Sequence, residues 1–202
     1  AEQVKSLNVS LDAKLDYPAV CNALETLLVH QNYPDSWLAN ILLKMQDSGV
    51  ELRVCKETKK RLEAYPDLNC SLAAEIDWET EYVDLILSIK TVKSAEEAVE
   101  HISKFGSKHT EAIVTEDSGL AEWFMKTVDA AGVFWNASTR FADGFRYGLG
   151  AEVGISTGKT HARGPVGLEG LVIYKYKLYG NGHVAGNYGE GKKDFMHTEI
   201  KL

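Results

Sequence analysis

No stretch of this sequence approaches the eighteen or so uninterrupted apolar residues of a membrane-spanning helix. Nor does it open on a charged-then-apolar leader closed by a small-residue cleavage site. No membrane partner is expected, and the chain reads as cytoplasmic. It also lacks paired cysteines: Cys21, Cys55 and Cys70 are three in number, with no C-x-x-C among them. That excludes a zinc knuckle and a disulfide framework and suggests free thiols in a reducing compartment. For Cys55 and Cys70 the reading is a small buried hydrophobe. No two histidines have metal-ligand spacing, so no metal is expected. Positive charge is scarce. The net charge is −7, and the basic clusters, Lys192 with Lys193 and Lys59 with Lys60 and Arg61, are short. A nucleic-acid partner, which needs a basic face to neutralise phosphates, is excluded more firmly than a small anion held by a few converging arginines. Internal repeats and low-complexity stretches are lacking too.

What is present is an alternation of apolar runs and amphipathic runs. The opening, Ala1 to Asn8, reads as a helix already under way and suggests a piece of something longer. Thr26–His30 reads as a strand. Asp35–Asp47 follows with Trp37, Leu38, Ile41, Leu42 and Met45 at helical spacing, and Gly49 stands where a helix-terminating glycine belongs. Residues 50–55 alternate as a half-buried strand. Residues 85–92 form another strand, before a capping box at Ser94-Ala-Glu-Glu97. Ala95, Ala98, Val99, Ile102 and Phe105 make one helical stripe, which Gly106 closes. Residues 112–115, 120–128 and 133–135 read as strand, helix and strand. Such alternation implies an α/β sheet with largely parallel pairing. Residues 144–170 carry eight glycines and read as supported loop. Residues 171–179 alternate Val172, Tyr174, Tyr176 and Leu178 against Lys175 and Lys177 and predict a strand. Beyond Gly180 the chain reads as a polar tail. The division expected is a body over 1–157, with a return loop, strand and tail over 158–202.

Cys21 has a distinctive setting in Asp16-Tyr-Pro-Ala-Val-Cys-Asn-Ala-Leu-Glu25. Pro18 suits the first position of a helix, which would put Cys21 in its first turn. Free N–H groups and the helix dipole there favour a thiolate and could cradle a developing oxyanion. Asn22 adds a polar donor. On the residues alone, a merely structural thiol is the better reading.

The segment Leu15-Asp-Tyr-Pro-Ala-Val-Cys-Asn-Ala-Leu-Glu-Thr-Leu-Leu-Val-His30 resembles the surroundings of the catalytic cysteine in γ-glutamyl phosphate reductases, relatives of aldehyde dehydrogenases. Ala98-Val-Glu-His-Ile-Ser-Lys-Phe-Gly-Ser-Lys-His-Thr-Glu-Ala-Ile113 is similar to that family's signature. Further blocks run from Asn136-Ala-Ser-Thr-Arg-Phe-Ala-Asp-Gly144 through Tyr147-Gly-Leu-Gly-Ala-Glu-Val-Gly-Ile-Ser-Thr157 to His161-Ala-Arg-Gly-Pro-Val-Gly-Leu-Glu169. They stand in the family's order, with residues 31–78 and the tail matching weakly.

The resemblance implies an aldehyde dehydrogenase-like catalytic domain with a C-terminal oligomerisation strand, lacking most of the nucleotide-binding domain. No glycine-rich turn between strand and helix is found that could receive a pyrophosphate. It implies NADPH-dependent reduction of γ-glutamyl phosphate to glutamate-5-semialdehyde in proline biosynthesis, through a thioester on Cys21, by a homo-oligomer acting on a small-molecule substrate. The 202-residue chain alone should be inactive. Cys21 and Asn22 are the catalytic candidates. Arg140 and Arg163, ahead of Arg146, are candidates for the substrate's anionic groups, against pairing with Asp143, Glu152 or Glu169. Asn136 and His109 are further substrate-site candidates, and His161 shares a family block. Glu81 is the cofactor candidate, although the Phe-Gly-Pro that flanks the corresponding glutamate in typical aldehyde dehydrogenases is absent. The rival readings are another aldehyde dehydrogenase-like enzyme, which would need a general base for thioester hydrolysis, and a non-catalytic assembly module.

Overall fold

The computed structural model describes residues 1–160, 162–196 and 198. It divides into two compact units, Ala1–Leu171 and Val172–Leu202. The first begins with helix α1, Gln3–Leu15, whose amino end is capped by the Glu2 carboxylate on the N–H groups of Val4 and Lys5, both at 2.9 Å. Strand β1 is Thr26–His30 and helix α2 is Asp35–Asp47, at the bounds the apolar spacing predicts. Leu38, Ala39, Ile41, Leu42 and Met45 of α2 are buried. Gly49 ends α2 at φ +88°, a left-handed conformation that suits glycine, and the Val50 N–H closes on the Met45 carbonyl at 3.0 Å.

Strand β2 (Glu51–Val54), the short helix α3 (Lys56–Arg61), strand β3 (Cys70–Leu72) and strand β4 (Ile86–Val92) complete a four-stranded sheet in the order β1-β4-β2-β3. All its pairings are parallel, with Thr26 opposite Ser88 and Leu52 opposite both Leu87 and Cys70. Its core joins Leu38, Leu42 and Met45 to Leu52, Val54, Leu87 and Ile89. The central strands β4 and β2 bury Leu87, Ser88, Ile89, Leu52 and Val54, whereas β1 and β3 each bury one residue.

Helix α4 (Ala95–Phe105), strand β5 (Thr110–Ile113), helix α5 (Ser118–Thr127) and strand β6 (Gly132–Trp135) follow, with β5 and β6 forming a parallel pair. Their core is Val99, Phe124 and Val128. The capping box before α4 forms in altered register. Ser94 Oγ accepts from the Glu97 N–H at 3.3 Å, but the Glu97 carboxylate reaches the Lys93 N–H rather than that of Ser94. Strand β5 starts two residues earlier than predicted, at polar Thr110 and Glu111.

Two expectations need correction. Cys21 lies in a turn between α1 and β1, not in a helix. The chain must reverse there, and the Leu24 N–H returns to the Ala13 carbonyl at 2.8 Å, which leaves no room for a helical turn. Residues 172–179 carry no strand ladder, because no strand among the described residues pairs with them.

A buried ion pair closes the stem of the Cys21 turn. Lys14, with 0% of its side chain exposed, donates to Glu25 Oε2 at 2.9 Å. Burial outweighs the lysine and pushes the Glu25 carboxyl up. Removing one partner of such a pair strands the other, so Glu25→Gln should destabilise the fold by about 3 kcal/mol. The urea midpoint of unfolding checks this, an unchanged value contradicting it. In the second unit Ile173 is 97% exposed, with Tyr174, Tyr176 and Leu178 nearly as open. Unpaired backbone beside such side chains is adhesive. The 202-residue chain should therefore associate as its concentration rises, and Ile173→Asp should weaken that association in light scattering.

Candidate functional site

Cys21 is exposed and lines a cavity of about 1100 Å³ in the first unit. Strand β1, the apolar stripe of α4 and strand β5 form other walls, through Leu28, Ala98, Ile102 and Ala112. The turn that carries Cys21 is fixed on both sides of the thiol. Asp16 Oδ2 accepts from Arg140 Nε at 3.0 Å and from Arg146 Nη2 at 3.2 Å. Asn22, 5% exposed, accepts at Oδ1 from Arg140 Nη1 and donates through Nδ2 to the Ala142 carbonyl at 2.9 Å. These bonds to two arginines hold the Asp16 carboxyl below the usual carboxylate range. The fold thus joins Cys21, Asn22 and Arg140, and commits the Asn22 carboxamide at both ends.

The charge around the sulfur is net unfavourable to a thiolate. Burial pushes the Cys21 thiol up, and the Glu152 carboxylate adds to it; its own backbone N–H pulls down, Glu81 pushes up again, and Arg140 opposes. Without a helix terminus, the expected dipole stabilisation is absent. Burial lowers the His109 ring, against the opposing charges of Glu152 and Glu81. Its Nδ1 lies 2.8 Å from Thr110 Oγ1. Glu81 is exposed and lines the cavity.

Asn136 and Arg163 make bonds of their own. Asn136 adopts φ +54° at the end of β6 and clasps Thr115, accepting from its N–H and donating to its carbonyl, both at 2.9 Å. Arg163 donates to Asp129 Oδ1 at 2.7 Å and to the Asp129 carbonyl at 3.2 Å. Arg163 and Lys159 bring the Asp129 carboxyl down to about 2. The arginines thus pair with Asp16 and Asp129, not with Asp143, Glu152 or Glu169. His161 lies outside the described residues. Sequence reasoning missed Asp16, Lys14 and Glu25. Lys14 could have been noticed beside Ser6, Ser10 and Ala13 on the buried face of α1, where a lysine demands a partner.

No protein-family model matches the chain. It is 53% identical over 201 residues to γ-glutamyl phosphate reductase 1 of Synechocystis sp., covering 99% of this chain and 45% of that protein. Nearly the whole chain is thus similar to part of a member of the γ-glutamyl phosphate reductase family. A second member of that family, from Natronomonas pharaonis, is 54% identical over 194 residues, or 96% of this chain and 43% of that one. The crystal structure of γ-glutamyl phosphate reductase from Thermotoga maritima matches with a TM-score of 0.82 at 46% identity, covering 91% of this chain and 43% of that one. An acetylating aldehyde dehydrogenase from Geobacillus thermoglucosidasius, 18% identical with a TM-score of 0.61 over 90% of this chain and 50% of that one, shares the fold. The chain therefore spans under half the length of the γ-glutamyl phosphate reductases it matches.

A dinucleotide's phosphates do not fit the residues of this cavity. Its lining carries the carboxylates of Glu25, Glu79, Glu81 and Glu111 and no lysine or arginine. Anionic phosphate there would meet the carboxylates of Glu79 and Glu81 and no compensating lysine or arginine charge.

The field at Cys21 gives a signed expectation. Glu152→Gln removes a charge that raises the thiol, so more thiolate forms at neutral pH. Alkylation of Cys21 by iodoacetamide at pH 7 should speed up severalfold, about tenfold for each unit by which the thiol falls. Quantifying the modified Cys21 peptide by mass spectrometry measures it. An unchanged rate would mean that Glu152 does not reach the sulfur.

Proposed function

We propose that the protein containing this chain reduces γ-glutamyl phosphate to glutamate-5-semialdehyde and phosphate at the expense of NADPH, in proline biosynthesis, with Cys21 as nucleophile. What carries this reading is identity of 53% over 201 residues, a span that includes the whole Cys21 turn. The Cys21 thiol loses its proton as its sulfur attacks the acyl carbonyl carbon, a carbon–sulfur bond forms, and the carbon–oxygen bond to phosphate breaks with its electron pair on the phosphate, which takes up the proton. The product is a thioester. An acyl phosphate is already activated, so this step asks less of a base than hydrolysis of an ester would. His109, kept neutral by burial, is assigned to the wall of the substrate pocket. Glu81, on the cavity wall, is assigned to the ribose end of the cofactor, away from its phosphates. The groups that grip those phosphates belong to other parts of the protein.

In the full-length protein, Cys21→Ala should abolish turnover of γ-glutamyl phosphate while leaving NADPH binding nearly intact, as followed by NADPH oxidation and by fluorescence titration. Turnover above a few per cent of wild type (about 5%) would rule out covalent catalysis at this residue.

A further inference from the structure

Arg140 is 7% exposed, and two of its three guanidinium nitrogens are engaged by the Cys21 turn. Nε donates to Asp16 Oδ2 at 3.0 Å and Nη1 donates to Asn22 Oδ1, so one planar group grips the turn on either side of Cys21. Asn22 passes the connection on through its 2.9 Å bond to the Ala142 carbonyl. Arg146 closes the ring, donating to Asp16 Oδ2 at 3.2 Å and to the Arg140 carbonyl. The ring ties two segments 118 residues apart in sequence.

A guanidinium placed this way is poorly suited to seize a diffusing anion. Turning its Nε and Nη1 edge to one would mean leaving Asp16 and stranding the buried Asn22 oxygen without its donor. We infer that Arg140 is the positioning residue of the nucleophile: it holds the Cys21 turn against residues 139–152 through Asn22, with Asp16 as its counter-ion, and does not bind substrate. The inference rests on the reading of Cys21 as the nucleophile. Glu152 shares in the arrangement, because its Oε2 accepts the Gly144 N–H two residues beyond Ala142. A Cβ at Gly144 would lie 2.6 Å from that of Glu152, so this return segment is closely packed where it meets the clamp. The clamp thereby sets both the place of the sulfur and the distance of the charge that restrains it. A lysine could not replace Arg140, since a single ammonium lacks the planar fork that meets Asp16 and Asn22 together.

The test uses the full-length protein with two readouts: steady-state kinetics, and the rate of Cys21 alkylation by iodoacetamide at pH 7. Arg140→Lys, Asn22→Ala and Asp16→Asn should each lower kcat by about ten- to a hundredfold, with KM held within about threefold. The Arg140→Lys/Asn22→Ala double variant should be no worse than the weaker single variant, in turnover and in alkylation change alike, because both break one connection. A substrate clamp gives the reverse: Arg140→Lys raises KM about tenfold or more, Asp16→Asn leaves kcat unchanged, and the two changes multiply. That pattern overturns the inference. If Arg140→Lys fails to fold, Asp16→Asn and Asn22→Ala still decide it by the same split between kcat and KM. Cys21→Ala, run alongside, separates the two failures. Retained turnover there strikes down the nucleophile, whereas an inactive Cys21→Ala with multiplying alkylation effects strikes down the positioning role alone.

Discussion

A charged lysine with none of its side chain exposed needs a compensating partner, because desolvating an ammonium costs several kcal/mol. Lys14 meets that demand with Glu25, and the pair joins the last turn of α1 to the first residue before β1. The intervening turn carries Cys21. Each of its ends is therefore fixed to a regular element, and its apex is held by Asn22 and Asp16 through Arg140. The reactive position thus depends on buried charge at its base and on a buried guanidinium at its flank. Neither contact involves the sulfur itself.

Most of the body could be read from apolar periodicity. Thr26–His30 and Asp35–Asp47 were recoverable at their bounds because their burial pattern is written in Val, Leu, Ile and Met. Strand β5 was misplaced by two residues because it begins with Thr110 and Glu111, polar residues on a buried wall. Burial there carries the Glu111 carboxyl up to about 7. The Cys21 turn misled in the opposite way. Pro18 is a fair local sign of a helix start, yet the groups of this turn bond to residues far along the chain, and local propensity does not register them. The same distance hid the true partners of the arginines: Asp16 lies 124 residues from Arg140, and Asp129 lies 34 from Arg163.

The family blocks carried further than the physics of single residues. Of the candidates they suggested, Cys21, Asn22 and Arg140 meet in one network, and the charge of Glu81 reaches both Cys21 and His109. Asn136 clasps Thr115, which lines the same cavity as Cys21, and Arg163 holds Asp129.

The order of the first sheet has a consequence for synthesis on the ribosome. Strand β1 pairs with β4, so Thr26 waits for Ser88 before its ladder can form. Arg140 and Glu152 emerge later still. Until then Cys21 is an ordinary solvated thiol on an unpaired segment, with neither the burial nor the carboxylate that later restrain it. Its greatest exposure to stray electrophiles and oxidants falls within the nascent chain. Completion of the clamp is thus also the moment at which the thiol acquires the charge field of the finished site.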